Sequence, residues 1–127
     1  MTFSRIDESI AYGALFTAYH LRARAIVALT ESGSTPLWMS RHNIDMPIYA
    51  MTTSRATQRK VALYRNVQPF ELTPDANDRE SVLKAAEELL LSHGLVKKDD
   101  MVVMTWGEPM GQTGGTNALK ITKIGDR

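Results

Sequence analysis

Residues 25–29 read Ala-Ile-Val-Ala-Leu and residues 101–105 read Met-Val-Val-Met-Thr, and these two stretches decide the fold. An unbroken apolar run of this length is typical of a strand that is buried on both faces of a parallel sheet. Each run follows a segment with helical spacing of apolar residues, at about residues 5–22 and 78–93. Strands that alternate with helices need crossover connections, which place helices on both faces of a largely parallel sheet.

Three further strands and two short helices complete the predicted order. The strands are residues 47–51, 67–72 and 119–124, and the helices are residues 37–41 and 55–64. Pro69 predicts a sheet edge for the third strand, because proline cannot donate a ladder hydrogen bond. Only a loop precedes the last strand, and a parallel neighbour would need a longer crossover. We therefore expect one domain over residues 1–127, with a three-layer α/β/α fold and a mixed five-stranded sheet whose last strand is antiparallel at an edge.

Composition excludes several classes of protein. The 15 basic residues nearly cancel the 14 acidic ones, so no overall field attracts nucleic acid or an anionic membrane. The absence of cysteine excludes disulfides, thiolate catalysis and cysteine-based zinc sites. No apolar run approaches the roughly 18 residues that a membrane span needs. We expect a cytoplasmic protein with neither nucleic acid nor membrane as a partner.

The first loop, residues 30–35, reads Thr-Glu-Ser-Gly-Ser-Thr and leads into a helix whose first turn holds Pro36. In open α/β sheets, ligands bind at the carboxyl ends of the strands. Hydroxyls, a glycine and a helix N-terminus together favour a bound anion. The candidate phosphate ligands are Thr30, Ser32, Gly33, Ser34 and Thr35. The alternative is a helix start whose hydroxyls serve only their own backbone.

The second loop, residues 107–116, is rich in glycine and matches neither the dinucleotide fingerprint nor the P-loop. It could form a backbone nest for a phosphate, or it could be a flexible connection between two strands. Trp106 borders this loop, and its ring could anchor the core or stack on a ligand.

No catalytic or metal-binding group is predicted. His20, His42 and His93 are scattered without a second ligand at metal spacing. The serines lack the elbow motif of a nucleophile.

Several motifs occur in an order that resembles the C-terminal domain of pyruvate kinase, from about residue 6 to residue 124. They are AIVALTESGSTPLWMS at residues 25–40, PIYAMT at 47–52, LYRNV at 63–67, DMVV at 100–103 and GTNALKI at 115–121. The most specific are T-x-S-G-x-T in the first loop and G-x-T-N-x-L-K-I at residues 114–121.

The resemblance implies an allosteric effector site and a share in a tetramer interface. The first loop would hold the effector phosphate, and a lid would close over it with Trp106 at its side. The lid residues would be Gly111, Gln112, Thr113, Gly114, Gly115 and Thr116. The family's catalytic residues lie in a β/α barrel, where magnesium and a monovalent cation such as potassium act, so this chain alone is expected to be neither an enzyme nor a cofactor-binding protein.

Three departures from the family pattern bear on the effector. Asn43 and Ile44 stand where many members have Arg-Pro, and Glu31 puts a negative charge in the first loop. The second loop holds no lysine or arginine. An acid close to a phosphate is repulsive. We therefore expect a monophosphate effector, such as a sugar phosphate or AMP, rather than a bisphosphate.

Other functions remain open on the sequence. The chain could be a purely structural assembly domain, or a free-standing protein that binds or acts on phosphorylated metabolites.

Overall fold

The computed structural model describes residues 2–42, 45–72, 79–107 and 116–125, with only the backbone described for residues 2–5. The elements, in chain order, are α1 (Thr2–Leu21), β1 (Ala25–Leu29), α2 (Ser34–Ser40), β2 (Ile48–Thr52), α3 (Arg55–Val61), β3 (Val67–Glu71), α4 (Arg79–Ser92), β4 (Met101–Trp106) and β5 (Ala118–Lys123). The predicted order of helices and strands is confirmed.

The five strands form one sheet in the order β3-β2-β1-β4-β5. β1 lies at the centre, with Val27 opposite Tyr49 of β2 and Met104 of β4. The pairs among β3, β2, β1 and β4 are parallel, whereas β4 and β5 are antiparallel. Both predicted edges are confirmed, since β3 with its Pro69 lies at one side of the sheet and β5 at the other.

One face of the sheet is covered by α4. Side chains alternate between the faces of a strand, so every second residue of β1 points the same way. Ala25, Val27 and Leu29 of β1 lie in one buried cluster with Leu83 and Leu90 of α4.

The other face is covered by α1, α2 and α3. Ile26 and Ala28 of β1 share a second buried cluster with Ala14 of α1, Met39 of α2 and Val61 of α3. Two clusters on opposite sides of one sheet make the three-layer α/β/α fold that was predicted.

The helix ends differ in detail from the prediction. The sequence predicts a first helix from about residue 5 with Ser4 as its N-cap, but α1 begins at Thr2 and Ser4 lies inside it, so this start is wrong. The helix ends where expected, because Arg22 takes a left-handed conformation with φ of 54°. Ser54 caps α3 by accepting a hydrogen bond from the Thr57 N–H at 3.1 Å. Asp78, the predicted start of α4, lies outside the described residues.

Across the described ranges, no helix combines enough length with enough apolar character to cross a membrane.

Candidate functional site

The carboxyl-terminal edge of the sheet carries threonines on three neighbouring strands. Thr52 ends β2, Thr105 lies next to the end of β4, and Thr30 follows β1 directly. All three are buried, with exposed fractions of 1%, 0% and 8%. Alternation along the strands directs them to the face covered by α1, α2 and α3. The first loop therefore sits on a polar edge of an otherwise apolar layer.

Gly33 sets the shape of the first loop. Its φ of 86° lies in the left-handed region, where a Cβ is costly. Its N–H donates to the Thr30 hydroxyl oxygen at 2.8 Å, which closes a tight turn before α2 begins at Ser34. A Cβ at this position would lie 3.0 Å from Cγ1 of Val61 in α3. Position 33 therefore lies between β1 and α3 in a conformation that only glycine adopts without strain.

The hydroxyls of the first loop connect it to two distant parts of the chain. The Thr35 hydroxyl donates to the Thr116 hydroxyl at 2.6 Å, and both residues are buried. The Ser34 hydroxyl donates to Oδ2 of Asp7 in α1 at 3.0 Å. Ser32 donates to the Ser34 oxygen at 3.3 Å, a long hydrogen bond. The structure therefore brings the predicted phosphate residues next to Thr116, the last residue of the predicted lid.

Not every predicted lid residue can be placed. Gly111, Gln112, Thr113, Gly114 and Gly115 lie outside the described residues.

Trp106, also predicted as part of the lid, ends β4 and is 5% exposed. Its side chain belongs to the cluster on the α4 face, with Tyr49 and Leu72, so it anchors the core there. Ligand stacking on this ring stays a prediction.

Asp7 is a residue of this region that the sequence analysis missed. It is 6% exposed, and its Oδ1 atom has no hydrogen-bond partner among the described residues. Burial raises the pKa of this carboxyl above its ordinary value, while hydrogen bonds from the Ser34 hydroxyl and the Thr116 backbone N–H oppose that rise. The sequence feature that indicates this position is the helical spacing of Asp7 with Ala11, Ala14 and Ala18, which places the acid on the buried face of α1.

Comparison with known proteins shows the family to which the chain belongs. The family model described as "Pyruvate kinase, alpha/beta domain" matches residues 8–122. The chain belongs to the pyruvate kinase family. The resemblance to the C-terminal domain of pyruvate kinase, which the sequence motifs indicated, is thereby confirmed.

Three relatives illustrate the similarity, and all are pyruvate kinases. The protein from Buchnera aphidicola subsp. Acyrthosiphon pisum is 36% identical over 126 residues, which cover 96% of this chain and 25% of the relative. The protein from Geobacillus stearothermophilus is 37% identical over 121 residues, covering 95% and 20%. "Pyruvate kinase II" of Salmonella typhimurium is 36% identical over 123 residues, covering 96% and 25%. The chain thus spans a fifth to a quarter of the length of these relatives and corresponds to their C-terminal α/β domain.

Glu31 occupies the outer side of the first loop in this pyruvate kinase domain. Its backbone oxygen accepts from the Thr57 hydroxyl at 2.6 Å, and its carboxylate accepts from the Thr53 hydroxyl at 3.3 Å. Both contacts tie the loop to the start of α3. The Glu31 carboxylate is therefore directed towards the β2–α3 connection, on the side of the loop away from α1.

The part of the pyruvate kinase domain that the structure describes shows no group of three or more His, Cys, Asp or Glu residues that could hold a metal ion. What the first loop offers a ligand is a set of hydroxyls and backbone N–H groups, which can bind an anion or a sugar hydroxyl.

Proposed function

We propose that this chain is the regulatory and oligomerisation domain of a pyruvate kinase, and that its first loop binds the phosphate of an allosteric effector. The observation that carries the proposal is the Thr35–Thr116 hydrogen bond of 2.6 Å. It joins the start of α2 to the end of the second loop. A phosphate bound at the first loop would therefore act on both loops at once, which is what an effector site with a closing lid requires.

The position and shape of the loop support phosphate as the ligand. It follows a central parallel strand, at the edge where α/β proteins bind ligands. Gly33 is left-handed and Ser34 is helical, and such a succession of conformations turns neighbouring N–H groups towards one side. Ser32, Ser34 and Thr35 add hydroxyl groups to the same turn.

The charge of the site supports a monophosphate rather than a bisphosphate. Glu31 stands in the first loop, Asp7 lies beneath it, and the second loop contains no lysine or arginine. A second phosphate would meet these carboxylates without a cation from the second loop to offset them. We therefore propose a sugar phosphate or AMP as the effector.

The parent protein would convert phosphoenolpyruvate and ADP to pyruvate and ATP in the cytoplasm. That chemistry, with its magnesium and monovalent cation such as potassium, would belong to the β/α barrel, which is the intramolecular partner of this domain. The domain itself would hold no cofactor. It would influence the barrel through the arrangement of subunits in a tetramer, since an effector shifts only an equilibrium between states that it binds differently.

The outer surface of α1 supports the assembly role. Tyr12, Phe16 and Tyr19 recur at helical spacing and have exposed fractions of 43%, 65% and 67%. A contiguous apolar surface of this kind marks an interaction site. β5 is an edge strand of the described sheet, and it contacts α1 on the same face of the domain. We propose that a second copy of the chain covers this surface.

A purely structural assembly domain is the second candidate. It is favoured by the internal hydrogen bonds of the first loop. Gly33 N–H, the Ser34 hydroxyl and the Thr35 hydroxyl all have partners within the protein. A ligand must compete with these bonds, whereas a structural loop would keep them.

A thermal-shift experiment separates the two candidates. The panel holds AMP, glucose 6-phosphate, ribose 5-phosphate, fructose 1,6-bisphosphate and sulfate. A ligand at about 100 times its Kd stabilises the folded state by roughly 2.7 kcal/mol, which raises Tm by several degrees in a domain of this size. We expect this rise with a monophosphate, and its loss in the double variant Ser32→Ala, Thr35→Ala.

Ser92→Ala is the matched control, because the Ser92 hydroxyl bonds to the Leu89 backbone oxygen and to the His93 ring at the exposed end of α4. Each variant is compared with its own Tm without ligand, since loss of the Thr35–Thr116 bond lowers that value. No shift from any compound would contradict effector binding by this chain. A much larger shift with fructose 1,6-bisphosphate would contradict the choice of a monophosphate.

A further inference from the structure

The Ser34 hydroxyl has one proton, and that proton is already engaged. A serine hydroxyl donates one hydrogen bond and accepts others. Here it donates to Oδ2 of Asp7 at 3.0 Å. The ionised carboxylate can only accept, so Ser34 must supply the proton of this bond. Ser34 therefore cannot donate to a phosphate oxygen while Asp7 is ionised and the bond is kept.

Asp7 has no cation among the described residues to offset its charge. α1 packs against α2, β1, β4 and β5, and α2, β1 and β4 contain no charged residue. Among the side chains that the structure describes, the charged groups nearest in the chain or on the packed elements are Glu8, Glu31, Arg41, Lys120 and Lys123. Glu8 accepts from Tyr12, Glu31 accepts from Thr53, Arg41 stacks over Trp38, and the two lysines of β5 are exposed.

We propose that Asp7 is the specificity-determining residue of the effector site and that it takes up one proton when a phosphate dianion occupies the first loop. The inference rests on the phosphate-binding function proposed above. A proton from solvent adds to the Asp7 carboxylate. The resulting O–H donates to the Ser34 oxygen, and the Ser34 hydroxyl turns its own proton towards the phosphate. The Thr116 N–H keeps a carboxyl oxygen as its acceptor in both states.

The charge of a bound phosphate also favours protonation of Asp7. A phosphate oxygen that accepts from Ser34 would lie roughly 5 Å from the Asp7 oxygen on the other side of that hydroxyl, since each hydrogen bond spans about 2.7–3.0 Å. A like charge at this distance favours the neutral form of a buried carboxyl. The rise in the pKa of Asp7 on burial acts in the same direction.

Two properties of the site follow. Anion affinity falls as pH rises above the pKa of Asp7, by up to about tenfold per pH unit for the uptake of one proton. A second phosphate group near α1 is disfavoured, because the Asp7 carboxylate can take up only one proton.

Sulfate is the probe for the test, because it remains a dianion between pH 5 and pH 8, whereas a phosphate monoester titrates near pH 6. Sulfate affinity of the 127-residue chain is measured across this range by isothermal calorimetry. Asp7→Asn mimics the protonated carboxyl, since it carries no charge and its amide N–H can donate to the Ser34 oxygen. We expect this variant to bind sulfate at pH 8 as tightly as the unaltered chain binds at its low-pH plateau, and with no dependence on pH.

Glu31→Gln is the matched control. It removes a charge from the same loop but leaves the Ser34–Asp7 bond in place. We expect it to bind more tightly by a constant factor and to keep the pH dependence. Calorimetry of the unaltered chain in two buffers of different ionisation enthalpy gives a second readout, the number of protons taken up per sulfate bound, which needs no variant to fold.

The outcomes separate this inference from the function on which it rests. Sulfate binding that is independent of pH, equal in Asp7→Asn and free of proton uptake would overturn the role of Asp7 and leave the anion site standing. Absence of sulfate binding in every variant at every pH would overturn the anion site and the role of Asp7 together. Binding that gains a proton, and loses its pH dependence only in Asp7→Asn, supports both.

Discussion

Gly33 gives the sharpest prediction at the scale of a single residue. Alanine at this position must take a φ of 86°, which costs an L-residue roughly 1–2 kcal/mol. Its Cβ would also lie 3.0 Å from Val61, a fully buried residue that cannot move aside freely. We expect Gly33→Ala to lower the free energy of unfolding by about 1–2 kcal/mol or more, measured by urea denaturation.

Gly13→Ala is the control for this prediction. Gly13 lies within α1, and nothing stands within 4 Å of an added Cβ. Alanine in a helix interior is more favourable than glycine by about 0.5–1 kcal/mol. We expect this change to stabilise the protein. Equal effects of the two substitutions would show that backbone conformation at residue 33 does not restrain the first loop.

The sequence predicted the residues of the first loop, but not all of their partners. Thr30, Gly33 and Thr35 stood out because they follow a buried strand, which is local information. Asp7 lies 27 residues before Ser34, and its position near the start of a helix was equally consistent with an exposed first-turn acid. Only the packing of α1 against α2 shows that its side chain is buried. The spacing of Asp7 with the buried alanines places an acid on the buried face of α1, but spacing alone does not show which loop that face meets.

At the scale of elements, both sheet edges were predictable because each depended on one rule of connection. Pro69 cannot donate in a ladder, and the short connection before β5 cannot cross over. The ends of helices were less predictable. Ser4 is a suitable cap by type, yet α1 begins at Thr2. Such boundaries depend on how the first turn packs, which apolar spacing does not specify.

The exposed surface of α1 carries a prediction about assembly. Phe16 and Tyr19 are about two thirds exposed, so replacing them leaves the core intact. If a second copy covers this surface, charged residues here desolvate on association and repel each other across a symmetric contact. We expect the double variant Phe16→Asp, Tyr19→Asp to shift the chain from dimer or higher oligomer to monomer in gel filtration with light scattering.

Leu63→Asp serves as the control for assembly, because Leu63 is 87% exposed and follows α3, away from the outer surface of α1. It should leave the oligomeric state unchanged. An unaltered chain that is monomeric at every concentration would contradict self-association through α1. Loss of the oligomer in Leu63→Asp as well would place the interface elsewhere.

At the scale of the whole molecule, the candidate site exists only through the tertiary fold. Ser34 lies 27 residues from Asp7, and Thr35 lies 81 residues from Thr116. The residues of the site come from α1, from the β1–α2 connection and from Thr116, which precedes β5 by two positions. The central position of β1 between β2 and β4 brings these segments to one edge of the sheet. Any ligand that bridges them therefore stabilises the global fold rather than a local loop.

The stability of the whole molecule depends on pH through two carboxyls whose pKa values shift in opposite directions on folding. Burial raises the pKa of Asp7 above 3.8 in the folded protein, so the folded state binds this proton more tightly than the unfolded chain. Its contribution to stability is therefore lost as pH rises from about 4 through the folded pKa. Hydrogen bonds from Lys97 lower the pKa of Asp100, chiefly the bond from the backbone N–H at 2.9 Å. Its contribution is present above 3.8 and is lost as pH falls through the folded pKa.

Two substitutions distinguish these contributions in urea denaturation between pH 3 and pH 7. Relative to the unaltered chain, Asp7→Asn should gain stability steadily as pH rises, because it never carries the buried charge. Asp100→Asn should be less stable at pH 7, and its deficit should shrink as pH falls below 3.8, because the unfolded chain takes up the Asp100 proton before the folded protein does. A constant difference between Asp7→Asn and the unaltered chain across this range would mean that Asp7 titrates in the folded protein as it does in the unfolded chain. The proton uptake proposed for anion binding would then have to come entirely from the field of the bound anion, because burial would have left Asp7 no readier to accept a proton.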